Sequence, residues 1–288
     1  MNNIKIASLY IIFSALAFSI MQMIVKISGE NIPIMEQVFA RNFVTLIIST
    51  LVIIKNKEKL FPNKNNIFAL FCRAFFGYLG VVSYFYATNN MLLADASILQ
   101  RTSPFWSSFF AFIIIKEKIS KIQCIALLIA IFGSILVIKP SMNSDILPAL
   151  VALASAIFAG IAYAVIGFLK GKESNALIIF YFSLFSTVFS LFFIGSFIAP
   201  NFYQVIMLLL IGIFAGLGQF FLTIAYKKAP VSRISIYNYM GVIFSYLLSV
   251  FILNEIIDIY SIIGMFLTIT AALMVYFYKN KSEDIKYN

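Results

Sequence analysis

Ten apolar runs, each about as long as one bilayer crossing, follow one another along this sequence, and few folds can accommodate that. The runs read as about 5–25, 33–54, 68–88, 94–115, 121–138, 146–168, 175–198, 203–226, 230–252 and 258–278. A membrane helix needs about 20 residues. Ten of them leave connections averaging about 7 residues, inside the usual range for helix–helix links. Within these 288 residues no soluble domain fits beside them. The first run has one Lys before it and no cleavage-type end, so it reads as a span and not a signal peptide.

Composition closes other routes. Hydrophobic residues make up 62% and charged residues 11%, against about 25% charged in a soluble domain. Soluble globular and disordered chains are both excluded. The chain has no His, which removes imidazole bases, Ser/His and Cys/His nucleophiles and His metal ligands. Cys72 and Cys124 both sit in apolar runs and read as small packed hydrophobes. No catalytic group, metal site or cofactor is expected.

The formal charge of +10 does not call for a nucleic-acid partner. With the N-terminus on the cytoplasmic side, 17 of the 21 Lys and Arg fall in inner loops or tails. Only Lys26 and Lys139 fall outside, and Arg41 and Arg101 lie within spans. That split satisfies the positive-inside rule with ten spans and both termini cytoplasmic.

An internal repeat accounts for the even number. Shifting the chain by 138 residues aligns Ala87 with Ala225 and Ile115-Lys116-Glu117 with Leu253-Asn254-Glu255 without a gap. The loop charges invert across the shift. Loop 54–68 has four Lys and its partner 198–203 none. Loop 115–121 has three Lys and its partner near Ile256–Asp258 none. Loop 88–94 has none, and its partner has Lys227 and Lys228. Two five-span halves must face opposite ways because five is odd, as in the inverted repeats of secondary transporters. The expected fold is therefore all-α integral membrane, with ten transmembrane helices as two inverted five-helix repeats, residues 1–140 and 141–288.

The stretch Arg73-Ala-Phe-Phe-Gly-Tyr-Leu-Gly, then Tyr84-Phe-Tyr-Ala87, Leu93-Ala-Asp-Ala-Ser97, Ser103-Pro104-Phe105, Lys116-Glu117 and Gly133-Ser-Ile-Leu-Val-Ile-Lys-Pro140, resembles the first half of an EamA-type transporter of the drug/metabolite transporter superfamily. Glu36-Gln-Val-Phe-Ala-Arg41 resembles that family's entry to its second span. Ala225, Ala229-Pro230 and Asn254-Glu255 resemble its second half more loosely. The resemblance implies a central cavity lined mainly by spans 1, 3, 4, 6, 8 and 9, and a small metabolite as cargo, taken up or exported. Val242 departs from the pattern, since many relatives carry Pro there. Span 7 has no counterpart of Arg41.

A charge at membrane depth costs about 2.5–3.5 kcal/mol on insertion scales and therefore faces a cavity or a partner. Arg101 lies about 7 residues into its span, roughly 10 Å deep, with Pro104 three residues on. Proline frees backbone carbonyls in a membrane helix. The repeat offset sends Gln100-Arg101 to Asn238-Tyr239. Two readings of Arg101 stand. It binds an anionic group, with Gln100, Asn238 and Tyr239 as neighbours, or it snorkels or ties helix-end carbonyls.

Arg41 reads as a structural clamp within or between helices, or else as a gate or substrate contact; Glu36 and Gln37 lie one turn outward, with Gln37 four residues before it. Arg73 lies near the inner edge and reads as snorkelling. Asp95 reads as a helix cap. Glu117 and Glu255 end spans 4 and 9 and read as bonding loop amides or helix ends. Gln22, Tyr78, Tyr84, Tyr163 and Gln219 fall in the cavity-lining spans and offer uncharged partners. Gly212 with Gly216, and Gly77 with Gly80, read as close helix packing.

The function expected is a secondary transporter in a bacterial inner membrane. It moves a small polar organic metabolite, anionic or zwitterionic, amino-acid-like or nucleoside-like, by alternating access. The alternatives are a membrane-embedded enzyme or a channel, which the missing acid–base cluster and missing charge rings disfavour. The partners are the substrate and the lipid bilayer, with the chain as monomer or homodimer.

Overall fold

A computed structural model describes residues 2–116, 120–138, 146–229 and 234–287. Among these the chain is helical, with no strand beyond an isolated bridge between Lys170 and Glu173. The helices are α1 (Asn2–Ser28), α2 (Ile34–Asn56), α3 (Ile67–Asn90), α4 (Leu93–Gln100), α5 (Ser103–Ile115), α6 (Lys121–Ile138), α7 (Leu147–Leu169), α8 (Asn175–Leu191), α9 (Phe202–Lys228), α10 (Met240–Phe251) and α11 (Ile259–Tyr287). Short 3-10 turns lie at Lys64–Asn66, Ile194–Ser196 and Ser235–Tyr239.

Among the described residues, seven helical segments are long and apolar enough to cross a membrane. Asn175–Leu191 and Ile236–Phe251 are apolar but shorter. Leu51, Ile54, Phe68, Leu128, Phe132, Phe202 and Phe266 stand exposed, as side chains facing lipid do. The interior instead holds small and hydroxyl residues. Ser134, Ser190 and Thr268 each donate to the carbonyl four residues back, which satisfies them within their own helix.

Three runs are interrupted where continuous helix is expected. The run 94–115 breaks at Arg101–Thr102. Pro104 has no N–H for the Gln100 carbonyl, and the turn tightens so that Thr102 N bonds Leu99 O at 3.1 Å. Pro104 then sits at the start of α5, where no donor is needed. The run 175–198 leaves helix α8 at Leu191. The run 230–252 begins with residues outside the description, then forms the 3-10 turn Ser235–Tyr239 before α10.

Helices approach closely where glycine removes the side chain. A Cβ at Gly264 would lie 2.8 Å from the Gly133 carbonyl, which sets the α6–α11 crossing. Gly212 and Gly216 receive Val44 and Ile48 of α2. Gly80 meets the Ser155 carbonyl and Ala159 N of α7 at 3.4 Å. With no hydrophobic drive between helices in lipid, such backbone approach holds a bundle together.

Loops gather at the two ends of the bundle. At one end Glu255 pairs with Lys26 (2.9 Å) and accepts from Leu93 N (3.0 Å). At that end Glu36 also accepts from Ile198 N (3.2 Å), and Gln204 donates to Asn31 O (2.9 Å). At the other end Glu173 accepts from Asn63 N (2.9 Å) and Asn66 Nδ2 (2.7 Å), and Tyr181 donates to Leu60 O (3.3 Å).

Candidate functional site

The two helix breaks meet. The Tyr239 hydroxyl donates to the Arg101 carbonyl at 3.3 Å, so the 3-10 turn before α10 holds the α4–α5 break. The Arg101 guanidinium lies against Gly241, where an added Cβ would collide with Nη2. The Gly241 carbonyl is taken by Ser19 of α1 (3.0 Å), whose hydroxyl also receives Ser245 (3.3 Å). α1 thereby fixes the start of α10. Gln100 accepts from Ser155 of α7 at 2.6 Å. Tyr84 of α3 packs against the cluster that holds Ile98 and Leu99 of α4 and Val242 of α10.

Arg101, Gln100, Tyr84 and Tyr239 thus come together from α3 and the two breaks, with Ser155 of α7 bonded to Gln100. Asn238 is half-buried in the same 3-10 turn. Among the described residues the Arg101 guanidinium has no carboxylate partner. A permanent cation there, ringed by phenols and hydroxyls, can bind an anion. It cannot supply a nucleophile with its base. Among the described residues no three His, Cys, Asp or Glu gather as a metal site.

The remaining candidates spread more widely. Gln22 of α1 is buried and accepts from Thr88 of α3 at 3.1 Å. Gln219 is half-buried on α9, next to Gly218, whose carbonyl accepts from Ser14. Tyr78 does not join Arg101. Its hydroxyl reaches Met35 Sδ (3.4 Å) and its ring packs on Phe185 and Phe189, so it belongs to an apolar cluster of α1, α2, α3 and α9. Tyr163, on α7, is 47% exposed.

The acids do other work than their neighbours in sequence suggest. Glu36 turns away from Arg41 to Ile198 N. Gln37 donates to Ile32 O (2.9 Å) and makes no clamp with Arg41. Asp95 lies inside the first turn of α4; the cap position is Leu92, and the open N–H of Leu93 is taken by Glu255. Glu117 lies outside the described residues.

Arg73 departs most from expectation. It does not snorkel. It is 9% exposed, and its guanidinium folds forward over Gly77, one turn deeper, where a Cβ would collide with Nη1. There it stacks on the Phe182 ring of α8, Cζ 4.4 Å from the centroid, and Arg41 Cζ is 5.9 Å from the same ring. Gly77 four residues after Arg73 is the sequence signal for this: a side chain bends inward only where the next turn leaves room.

Known proteins agree with the fold. The sequence model of the EamA-like transporter family matches residues 5–139 and again 146–277. The chain is 30% identical over 277 residues to the pseudopaline exporter CntI of Pseudomonas aeruginosa, covering 95% of this chain and 96% of that protein. It is 22% identical to the S-adenosylmethionine uptake transporter of Rickettsia prowazekii over 96% and 95% of the two chains. Solute carrier family 35 member G1 of Homo sapiens is 25% identical over 86% of this chain and 72% of its own. One solved crystal structure superposes with a TM-score of 0.66 at 14% identity, over 96% of this chain and 98% of the other. These relatives are named as transporters or carriers, not enzymes.

Proposed function

Because the chain belongs to the EamA-like transporter family, we propose that it is a secondary transporter of a small polar metabolite with an anionic or zwitterionic part, working by alternating access. The observation that carries this reading is the Arg101 guanidinium, lodged against Gly241 where two helix breaks touch, with no carboxylate partner among the described residues. A bundle keeps a charge at membrane depth, at about 2.5–3.5 kcal/mol, when a function needs it.

In this reading the chain crosses the membrane ten times. The α4–α5 pair counts as one crossing, and the 3-10 turn with α10 as another. Residues 1–140 and 141–288 are two inverted halves. Three observations support that. The family model fits each half separately. The bond between Tyr239 and Arg101 joins residues separated by the repeat offset of 138. The loop contacts at each end, Lys26–Glu255 and Glu36–Ile198 against Glu173–Asn63, join only loops that ten crossings place on one side. Broken helices at a repeat interface near the midplane are where such transporters hold their cargo. The charge bias of the loops supports both termini in the cytoplasm, and the bacterial relatives support a bacterial inner membrane. The relatives include a named exporter and a named uptake carrier, so both directions suit the fold.

A thermal-shift screen of amino acids, nucleosides and vitamins on the purified protein tests this. A ligand is expected to raise the melting temperature, and Arg101→Ala is expected to lose that rise. An undiminished rise in Arg101→Ala would make Arg101 structural and remove the basis for an anionic substrate.

A further inference from the structure

Arg41 and Arg73 are an unused pair of charges. They come from α2 and α3, are 8% and 9% exposed, and share one face of the molecule at the Phe182 ring. Their guanidinium carbons lie 5.9 Å and 4.4 Å from the centroid of that ring, which brings two like charges together. Arg41 has one side-chain bond, from Nη1 to the Asn42 amide oxygen at 2.9 Å. The Nε of each arginine is buried without a hydrogen-bond partner. Among the described residues neither meets a carboxylate: Glu36 is committed to Ile198 N, and Glu255 to Lys26 and Leu93 N.

Guanidinium does not shed its proton in a protein, so both stay charged. Contact with Phe182 offsets part of the cost, but sharing one ring leaves the repulsion of two like charges and their open N–H groups standing. A bound anion is what would neutralise both. Lipid phosphate is a poor source for it. The Arg73 guanidinium sits at the level of Gly77, ten residues into α3 and so about 15 Å along a helix whose full length is about 36 Å. A headgroup lies at the surface, not near the middle of a span.

We infer that Arg41 and Arg73, gathered at the Phe182 ring, form an oxyanion subsite for a carboxylate-bearing substrate. This rests on the transporter reading and deepens it. With Arg101 at the helix breaks, the bundle holds three arginines without a carboxylate partner among the described residues. The matching cargo carries at least two separated carboxylates, one for this pair and one for Arg101, and a monocarboxylate leaves one of the two unfilled.

The test uses the full chain in a neutral detergent, with citrate as probe and acetate and sodium chloride at matched ionic strength as controls. Citrate is expected to raise the melting temperature by several degrees, and acetate to need at least tenfold higher concentration for the same rise. Arg41→Gln and Arg73→Gln are each expected to weaken the citrate response at least tenfold, while Arg73→Lys, which keeps the charge, stays within about threefold. Should Arg73→Gln fail to fold, Gly77→Ala tests the same group with its charge retained, because the new methyl displaces the guanidinium; it too is expected to weaken the response. Adding anionic lipid in place of citrate is expected to have no comparable effect. The inference is overturned if citrate acts no differently from chloride, if anionic lipid replaces it, or if the glutamine variants respond as the wild type does. If those variants respond normally while Arg101→Ala loses the ligands of the metabolite screen, the subsite fails and the transporter reading stands.

Discussion

Glu255→Ala is expected to lower the melting temperature of the purified protein by roughly 5–10 °C, a larger loss than any other single carboxylate removal. One carboxylate, 9% exposed, ties three elements. It pairs with Lys26 at the end of α1, accepts the first open N–H of α4 from Leu93, and bonds the Ser249 hydroxyl of α10. The turn that delivers it is specific. Asn254 takes a left-handed φ of 52°, a conformation Asn tolerates, and Glu255 N closes onto Ser249 O at 3.0 Å. Truncation strands a helix-end donor and a buried hydroxyl, and leaves Lys26 only the Thr88 and Met91 carbonyls. Losing one partner of a buried hydrogen-bonded pair costs about 2–5 kcal/mol. Glu255→Gln keeps the Leu93 acceptor and loses only the ion pair, so its loss is expected to be less than half as large. Lys26→Met leaves the carboxylate with Leu93 N and Ser249 and is expected to be milder still. Equal melting temperatures for wild type and Glu255→Ala would contradict this assignment.

Gly241→Val is expected to abolish ligand-induced stabilisation nearly as completely as Arg101→Ala, although it removes no charge. The space of a Cβ at position 241 is already held by Arg101 Nη2, with Cζ only 2.9 Å away. Arginine is flexible and yields, so the guanidinium moves off the two helix breaks while the backbone persists, the Gly241 carbonyl still bonded to Ser19. Misplacing a charge that grips an anion in a desolvated site forfeits about 2–5 kcal/mol. At about 1.4 kcal/mol per tenfold, that is on the order of 30-fold or more in apparent affinity. Isothermal titration with a ligand from the thermal-shift screen measures it. Wild-type affinity in Gly241→Val would mean that the Arg101 guanidinium does not contact the cargo.

Hydropathy makes most of the helices legible, because a bilayer admits one solution for each long apolar run. Arg101 and Tyr239 are legible as a pair for a different reason: the offset of 138 is carried by the sequence itself, and the bond between them spans that same separation. The interruptions are less visible. Pro104 announces a break, but its place at Arg101–Thr102 depends on which carbonyl loses its donor. Local spacing also misleads where a neighbouring helix competes. Gln37 sits one turn from Arg41, yet the Ile32 carbonyl takes its amide. Asp95 stands near the start of α4, yet a carboxylate 162 residues away takes the open N–H. Arg73 looks peripheral from its place in α3; only the empty side of Gly77 and the Phe182 ring on another helix explain why it turns inward. Periodicity along one helix carries no record of such tertiary partners.

The account turns on a polar site at the paired helix breaks that opens to each side of the membrane in turn. Asn238→Cys, placed in a Cys72→Ala, Cys124→Ala background to remove both native thiols, reads this directly through labelling by a charged, membrane-impermeant methanethiosulfonate. Labelling is expected in intact cells and also in inside-out vesicles, with the ligand from the thermal-shift screen slowing both. Labelling from one side alone, or from neither, would contradict alternating access at this site.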